Sequence, residues 1–224
     1  MLQGSATIEN SLKKPTVILF DWDCTLVDSK QLLCSAINET LKSLDMPVLS
    51  LEAAYESTSM TPDQTFRYLF GDHAVEAKKI FYDILKDYPM DELVILDGVE
   101  GFLDYCLESG YAMALVSNKN GPMLRREVKH LGLESYFKAI VGSGDASEGK
   151  PSSAPALKAL GQMNRLAGKD VWLIGDNIVD WQCANAAGCQ PVRIWPNNKD
   201  FGDLPNGTVS VENFLNLRDI IENL

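Results

Sequence analysis

Short apolar runs that alternate with helical patterns constrain the fold of this chain more than any other feature of its sequence. Five such runs, each bounded by turn residues, lie at residues 16–20, 112–116, 139–141, 171–174 and 190–194. Runs of this length and composition are typical of buried parallel strands. Helical periodicity predicts helices at residues 99–109, 121–131, 153–166 and 178–187, and a closing helix at 211–223. The alternation predicts an α/β protein with a Rossmann-like parallel sheet covered by helices on both faces.

Residues 28–97 break this alternation. Helical periodicity recurs there at residues 30–44, 50–57, 62–70 and 74–88, and we find no convincing strand. A helical block inserted after the first strand predicts a small separate domain over the edge of the sheet. We therefore expect a core domain formed by residues 1–27 and 98–224, and an inserted α-helical domain formed by residues 28–97.

The composition excludes several classes of function. The chain has 224 residues and a net charge of −11, which disfavours binding to nucleic acids or anionic membranes. Its five cysteines form no CxxC pair and only two histidines are present, so free thiols in a reducing compartment are favoured over disulfides or a zinc site.

The hydropathy pattern favours a soluble cytoplasmic protein. No apolar run is long enough to span a bilayer. Residues 1–15 are polar and contain no apolar segment of the kind found in secretory signals.

Polar side chains follow four of the predicted strands. In parallel sheets, ligands bind beyond the carboxyl ends of the strands, so we expect these side chains to converge on one crevice. They are Asp21 and Asp23 after the first run, Ser117, Asn118 and Lys119 after the second, Lys150 after the third, and Asp176 and Asp180 after the fourth.

This set of side chains points to a particular chemistry. Clustered carboxylates without histidine suit a hard cation that binds oxygen, and we expect Mg²⁺. A hydroxyl, backbone N–H groups and an ammonium suit the oxygens of a phosphate. Together they predict a metal-assisted phosphoryl-transfer site.

Four motifs resemble those of the haloacid dehalogenase (HAD) superfamily, in its phosphatase branch. Residues 21–25 (DWDCT) match the first motif, DxDx(T/V), and residues 175–180 (GDNIVD) match the fourth, GDxxxD. Ser117 matches the second motif and Lys150 the third. The motifs occur in family order, and the resemblance covers the chain from Pro15 onward.

The resemblance implies catalytic roles for the first motif. Asp21 would be the nucleophile that forms an aspartyl-phosphate, and its carboxylate would also bind the metal. Asp23 would be the general acid and base, and its backbone carbonyl would be a second metal ligand. Thr25 would support the loop. Cys24 stands where close relatives usually have glycine.

The other motifs would complete the site. Asp176 would bind the metal directly, and Asp180 would be a further ligand or a partner that orients one. Ser117 and the backbone N–H of Asn118 would hold phosphate oxygens, and Lys150 would neutralise charge on the nucleophile and the phosphoryl group. From the sequence, Lys119 is about equally consistent with a solvated position and one facing the crevice.

The resemblance implies a Mg²⁺-dependent phosphatase of the phosphoglycolate-phosphatase-like group. It would act on a small phosphorylated metabolite as a monomer or homodimer. The inserted helical domain would be a C1-type cap, with residues 57–64 as a candidate specificity loop and Arg67 as the nearest cation for an anionic substrate.

Four alternatives remain. A phosphomutase would use the same motifs, and a non-catalytic binding protein on this fold would normally have lost one of the acids. Asp23 and Asp176 argue against a dehalogenase, which needs no metal. A phosphonate hydrolase needs a reactive cap lysine, for which Lys30 and Lys42 are candidates by position only.

Overall fold

The computed structural model describes residues 12–57, 60–195 and 204–224. Its strands are β1 (Val17–Phe20), β2 (Val27–Asp28), β3 (Val94–Ile95), β4 (Ala112–Asn120), β5 (Ala139–Ser143), β6 (Val171–Gly175), β7 (Gln190–Ile194) and β8 (Val209–Val211). Its α-helices are α1 (Lys30–Ser43), α2 (Leu51–Ser57), α3 (Pro62–Phe70), α4 (Ala74–Lys86), α5 (Val99–Glu108), α6 (Gly121–His130), α7 (Ala154–Gln162), α8 (Ile178–Ala186) and α9 (Phe214–Glu222). Short 3-10 turns lie at Gly71–His73, Met90–Glu92 and Glu134–Tyr136.

Six strands form a parallel sheet in the order β5-β4-β1-β6-β7-β8. Strand β1 lies near the middle, and all four of its residues are buried. Ile18 and Phe20 pack into one apolar cluster, while Val17 and Leu19 pack into another on the opposite face. Burial on both faces explains why this strand is a continuous apolar run, and the α/β prediction is confirmed.

Helices α1 to α4 share an apolar cluster of their own. Its members include Ile37 from α1, Phe66 and Phe70 from α3, and Phe81 from α4. Phe66 stacks on Phe70 at a centroid distance of 5.6 Å and meets Phe81 edge-on at 5.3 Å. The side chains from the inserted segment therefore pack mainly on one another.

The chain enters and leaves this helical segment through a small antiparallel ladder. Val27 of β2 pairs with Ile95 of β3, and Asp28 pairs with Val94. The prediction that residues 28–97 contain no strand was therefore wrong at both ends of this segment, at Asp28 and at Val94–Ile95. A two-residue strand is too short to produce a periodic pattern, so the sequence could not reveal it.

Several other boundaries differ from the predictions, and α7, for example, ends at Gln162 and not at residue 166. Strand β4 continues to Asn120 through an irregularity after Val116, so residues 117–119 lie on the strand and not beyond it. The closing helix begins at Phe214, because the side chain of Asn213 accepts a hydrogen bond from the backbone N–H of Asn216 at 2.9 Å and caps the helix. Val209–Val211 instead adds a sixth strand to the sheet.

Among the residues that the structure describes, no helix is both long enough and apolar enough to cross a membrane.

Candidate active site

Three carboxylates meet at the carboxyl edge of the sheet. Asp21 follows β1, and its backbone N–H donates to the carbonyl of Ile174 at 2.9 Å. Asp176 follows β6, and Asp180 lies in the first turn of α8. One oxygen from each of the three side chains lies within 4.8 Å of the others. The sequence predicted this convergence from the positions of the acids after their strands.

Lys150 is the cation of this cluster. Its Nζ lies 2.6 Å from Asp21 Oδ1 and 2.6 Å from Asp180 Oδ1. Its side chain is almost fully buried. Burial alone would lower the pKa of Lys150, but the carboxylates of Asp180 and Asp21 more than offset this and raise it. The ammonium therefore stays charged and holds Asp21 in one orientation.

Asp176 is held by two hydroxyl groups. Thr25 Oγ1 donates to its Oδ1 at 3.1 Å, and the hydroxyl of Tyr55 in α2 donates to its Oδ2 at 2.7 Å. Burial, together with the nearby charge of Asp21, raises the pKa of Asp176 to about 6. A carboxylate with this environment is costly to ionise unless a cation lies beside it.

Asp180 is fixed by the start of its helix. The backbone N–H of Asn177 donates to Asp180 Oδ2 at 3.0 Å, and a Cβ on Gly175 would overlap the Asp180 carboxylate. Burial raises the pKa of Asp180 to about 8, while Lys150 opposes that increase. Asp180 Oδ1 lies 2.6 Å from Lys150 Nζ, and the ammonium at this distance favours the ionised carboxylate.

The cluster suits a divalent cation. Three buried or half-buried carboxylates share one ammonium, which leaves an excess of negative charge. The ligand atoms that the side chains offer are all oxygens, the donors preferred by hard cations such as Mg²⁺ and Ca²⁺. These residues therefore fit a metal of that class.

Asp23 lies outside this cluster and belongs to a second buried network. Its Oδ1 lies 2.9 Å from Lys119 Nζ, which also lies 2.9 Å from Glu127 Oε1. Glu127 Oε2 accepts a hydrogen bond at 2.7 Å from the indole N–H of Trp22, whose side chain is fully buried. Burial would lower the pKa of Lys119, but Asp23 and Glu127 outweigh it and raise the pKa. The sequence left open whether Lys119 is solvated or faces the crevice, and in the structure it faces the crevice.

Sequence reasoning missed Glu127 and Tyr55. Glu127 had a signal, because it interrupts an apolar stripe formed by Leu124 and Val128 of α6 and by Leu131, which directly follows the helix. A charged residue in such a stripe needs a buried partner. Tyr55 had no comparable signal, since its contact depends on how the helical segment packs over the sheet.

Ser117, the residue of the second motif, lines the cavity, and its neighbour Asn118 supports Lys150 of the third motif. Ser117 is buried, and its Oγ accepts a hydrogen bond from the backbone N–H of Lys119 at 3.2 Å. The side-chain amide of Asn118 donates to the carbonyl of Lys150 at 3.0 Å and accepts from its N–H at 2.8 Å. Asn118 therefore positions the backbone of Lys150, a contact that the motifs did not predict.

Comparison with known proteins decides the family. The family model described as "Haloacid dehalogenase-like hydrolase" matches residues 18–194. The chain belongs to this family. It is accordingly a hydrolase, and the resemblance noted from its motifs is confirmed.

Several relatives match most of the chain. A phosphoglycolate phosphatase from Aquifex aeolicus is 29% identical over 87% of this chain and 92% of its own. Pyrophosphatase PpaX from Listeria innocua is 28% identical over 78% of this chain and 80% of its own. A HAD-superfamily hydrolase of known structure from Ehrlichia chaffeensis is 32% identical, with a TM-score of 0.68, over 96% of this chain and 99% of its own.

Membership in this family makes Cys24 interpretable. Its backbone has a φ of 59°, in the left-handed region where glycine carries no steric cost, which explains the glycine usual at this position. Burial and the charges of Asp176 and Asp23 raise the pKa of the Cys24 thiol. The thiol is therefore protonated and poorly nucleophilic. All five cysteines are free, as the sequence predicted.

The acids of this hydrolase lie at one end of a cavity of about 140 Å³ that extends between the sheet edge and helices α1 to α4. Met60 and Pro62 of the predicted specificity loop line it, whereas residues 58 and 59 of that loop lie outside the described residues. Arg67 is exposed and does not line the cavity.

Proposed function

We propose that this hydrolase is a Mg²⁺-dependent phosphatase that cleaves a small phosphate monoester through an aspartyl-phosphate on Asp21. The observation that carries the proposal is the Asp21 carboxylate, held 2.6 Å from the buried Lys150 within a cluster of acids. A carboxylate held in one orientation is preorganised to attack a phosphoryl group bound beside it. The names of its phosphoglycolate phosphatase and pyrophosphatase relatives support phosphate chemistry.

The metal would bind between the carboxylates of Asp21, Asp176 and Asp180, with the backbone carbonyl of Asp23 as a further ligand. When bound, Mg²⁺ would neutralise charge on the phosphoryl group as it is transferred. Ser117 and the backbone N–H of Asn118 would hold the remaining phosphate oxygens, and both residues line the cavity.

Two displacements would complete the reaction. A carboxylate oxygen of Asp21 bonds to phosphorus while the ester P–O bond breaks, and Asp23 in its protonated form donates a proton to the departing oxygen. Asp23 then accepts a proton from water as the water oxygen bonds to phosphorus. The bond from Asp21 to phosphorus breaks and releases inorganic phosphate. Lys150 balances the charge on Asp21 in both steps.

The helical segment would serve as the cap of this site. We propose residues 28–97 as the cap domain and residues 1–27 and 98–224 as the core domain. Tyr55 of α2 reaches Asp176, and side chains of α1, α3 and α4 line the cavity over the acids. A segment in this place can exclude water while the first displacement occurs.

The test is phosphate release from an aryl phosphate in the presence of Mg²⁺. We expect activity that EDTA abolishes and that Asp21→Asn lowers by at least about 1,000-fold in kcat. Asp219→Asn, which removes an exposed carboxylate from α9, is the matched control and should retain wild-type activity. Turnover in Asp21→Asn equal to that of the wild type would refute the nucleophile assignment.

The same assay separates a hydrolase from a phosphomutase. A hydrolase releases phosphate without a bisphosphate activator, whereas phosphoryl transfer that occurs only when a sugar bisphosphate is supplied would overturn the proposed hydrolysis. Asp23→Asn should lose most turnover and still bind metal, because the ligand proposed at this position is its backbone carbonyl.

A further inference from the structure

The wall that the helical segment contributes to the cavity is largely apolar. Met123 of α6 packs against the same apolar cluster and also lines the cavity. The main apolar members of this wall are Ile37, Phe66, Phe70, Phe81, Leu85 and Met123, and its polar members are Tyr55, Thr65 and Tyr82. Because this wall is continuous with the acidic end, it is the surface that the alcohol portion of a bound ester would contact.

No free cation faces this space among the described residues. The lysines that line the cavity are Lys119 and Lys150, and each is already held between two carboxylates. Of the residues outside the described ranges, Thr58 and Ser59 carry no charge, and Lys199 is the one lysine or arginine. Arg67 does not line the cavity, and Lys30 lies over the ring of Tyr55 at 4.5 Å and does not line it either.

An anionic leaving group would meet no unpaired cation among the described residues of this wall. A carboxylate or second phosphate moved from water against these side chains loses its hydration and gains no ion pair, which is costly. An uncharged apolar group instead gains from leaving water, and the aromatic side chains of Phe66 and Phe81 offer favourable contacts to a ring.

We infer that the substrate is a phosphate monoester of an uncharged and largely apolar alcohol, selected by the aromatic wall of the cap. Phosphoglycolate and pyrophosphate, named for two relatives, carry a second anionic group and are poor substrates of this enzyme. The inference rests on the proposed phosphatase function and specifies its substrate class.

A matched pair of esters tests the inference. Benzyl phosphate and para-carboxybenzyl phosphate differ by one carboxylate that lies far from the reacting phosphorus. We expect kcat/KM to be at least about 100-fold higher for benzyl phosphate, and phosphoglycolate and pyrophosphate to be as poor as the carboxylated ester. Equal kcat/KM for the two benzyl esters, or a preference for phosphoglycolate, would overturn the inference and leave the phosphatase proposal standing. Failure to hydrolyse any phosphate ester would overturn both.

A pair of variants locates the selectivity in the cavity wall. Met123→Arg places a cation at the wall, and Met123→Gln is a neutral control of similar length. For para-carboxybenzyl phosphate, we expect the kcat/KM of the arginine variant to be about tenfold higher than that of the glutamine variant. For benzyl phosphate, we expect the kcat/KM of the arginine variant to be no higher than that of the glutamine variant. An unchanged preference in a folded Met123→Arg enzyme would contradict selection by this wall.

Discussion

At the residue scale, the site depends on two buried lysines, each shared between two acids. Lys150 joins Asp21 to Asp180, and Lys119 joins Asp23 to Glu127. Paired buried charges add little net stability, but loss of one partner leaves the other charge uncompensated. Asp21 and Asp23, the two proposed catalytic acids, are therefore held by separate networks. A substitution in one network leaves the ion pairs of the other network in place.

Replacement of Lys119 should show this dependence. Lys119→Met leaves the carboxylates of Asp23 and Glu127 without their cation, and we expect the free energy of unfolding to fall by about 3–5 kcal/mol. Adding Glu127→Gln should recover part of that loss, because it removes one of the unpaired charges. Urea denaturation of the three proteins measures the effect.

The control is Lys129→Met, which removes an exposed lysine from α6. Its urea midpoint should match the wild type. A Lys119→Met midpoint equal to that of Lys129→Met would show that the buried pairs are not required for stability.

The positions of Asp21, Asp176 and Lys150 in the crevice are predictable from their spacing after strands, because the carboxyl ends of parallel strands share one edge. The same reasoning could not place Glu127, since its partner Lys119 is eight positions earlier on a different element. The motifs include the residues proposed to react, but they do not include Glu127, which holds Lys119 in position.

At the element scale, helix α2 links the helical segment to the acidic cluster. Its Tyr55 hydroxyl donates to Asp176 Oδ2, and Lys30 of α1 lies over the Tyr55 ring. The hydrogen bond from Tyr55 favours the ionised form of Asp176 and so lowers its pKa. Burial has the opposite and larger effect on that pKa. Helix α2 therefore supports a proposed metal ligand that belongs to another part of the fold.

Tyr55→Phe should weaken metal binding more than catalysis. Without the hydroxyl, the Asp176 carboxylate loses a donor that orients it, and we expect the Mg²⁺ concentration for half-maximal activity to rise about tenfold. The kcat at saturating Mg²⁺ should change little. A Mg²⁺ titration of activity distinguishes the two quantities.

Tyr68→Phe removes a hydroxyl from an exposed tyrosine on α3 and serves as the matched control. If both phenylalanine variants titrate like the wild type, Tyr55 has no part in metal binding.

Helices with an apolar stripe and strands with a continuous buried run were predicted from the sequence, whereas the two-residue strands were not. The helices α1, α3 and α4 fall within the predicted ranges because each has an apolar stripe. The two-residue strands β2 and β3 escaped prediction because backbone pairing stabilises them, and backbone pairing leaves no pattern in the side chains.

At the scale of the whole molecule, the acidic cluster links stability to pH and to metal. The pKa of Asp176 is about 6 in the folded protein, compared with an ordinary value of 3.8. Between these pH values the folded state binds more protons than the unfolded state, so the free energy of unfolding contributed by this group falls as pH rises. A cation bound to the ionised carboxylates opposes that loss.

Thermal unfolding at pH 4.5 and pH 7 in EDTA tests this linkage. We expect Asp176→Asn to raise Tm at pH 7 by roughly 3 °C or more relative to the wild type, and to raise it less at pH 4.5. Asparagine is uncharged like the protonated carboxyl group, so the substitution matters most at the pH where Asp176 is ionised. Added Mg²⁺ should raise the Tm of the wild type at pH 7 more than that of the variant. The same Tm difference between the two proteins at both pH values would contradict the linkage.

During turnover, we expect Asp21 to carry the phosphoryl group. Acid quenching during turnover, followed by mass spectrometry of the intact protein and its peptides, tests the claim most directly. We predict that wild-type enzyme with Mg²⁺ and benzyl phosphate gains the mass of one phosphoryl group on the peptide that contains Asp21, and that Asp21→Asn gains none. A phosphoryl group on another residue, or phosphate release by the wild type with no adduct in rapid-quench samples at any time, would contradict it.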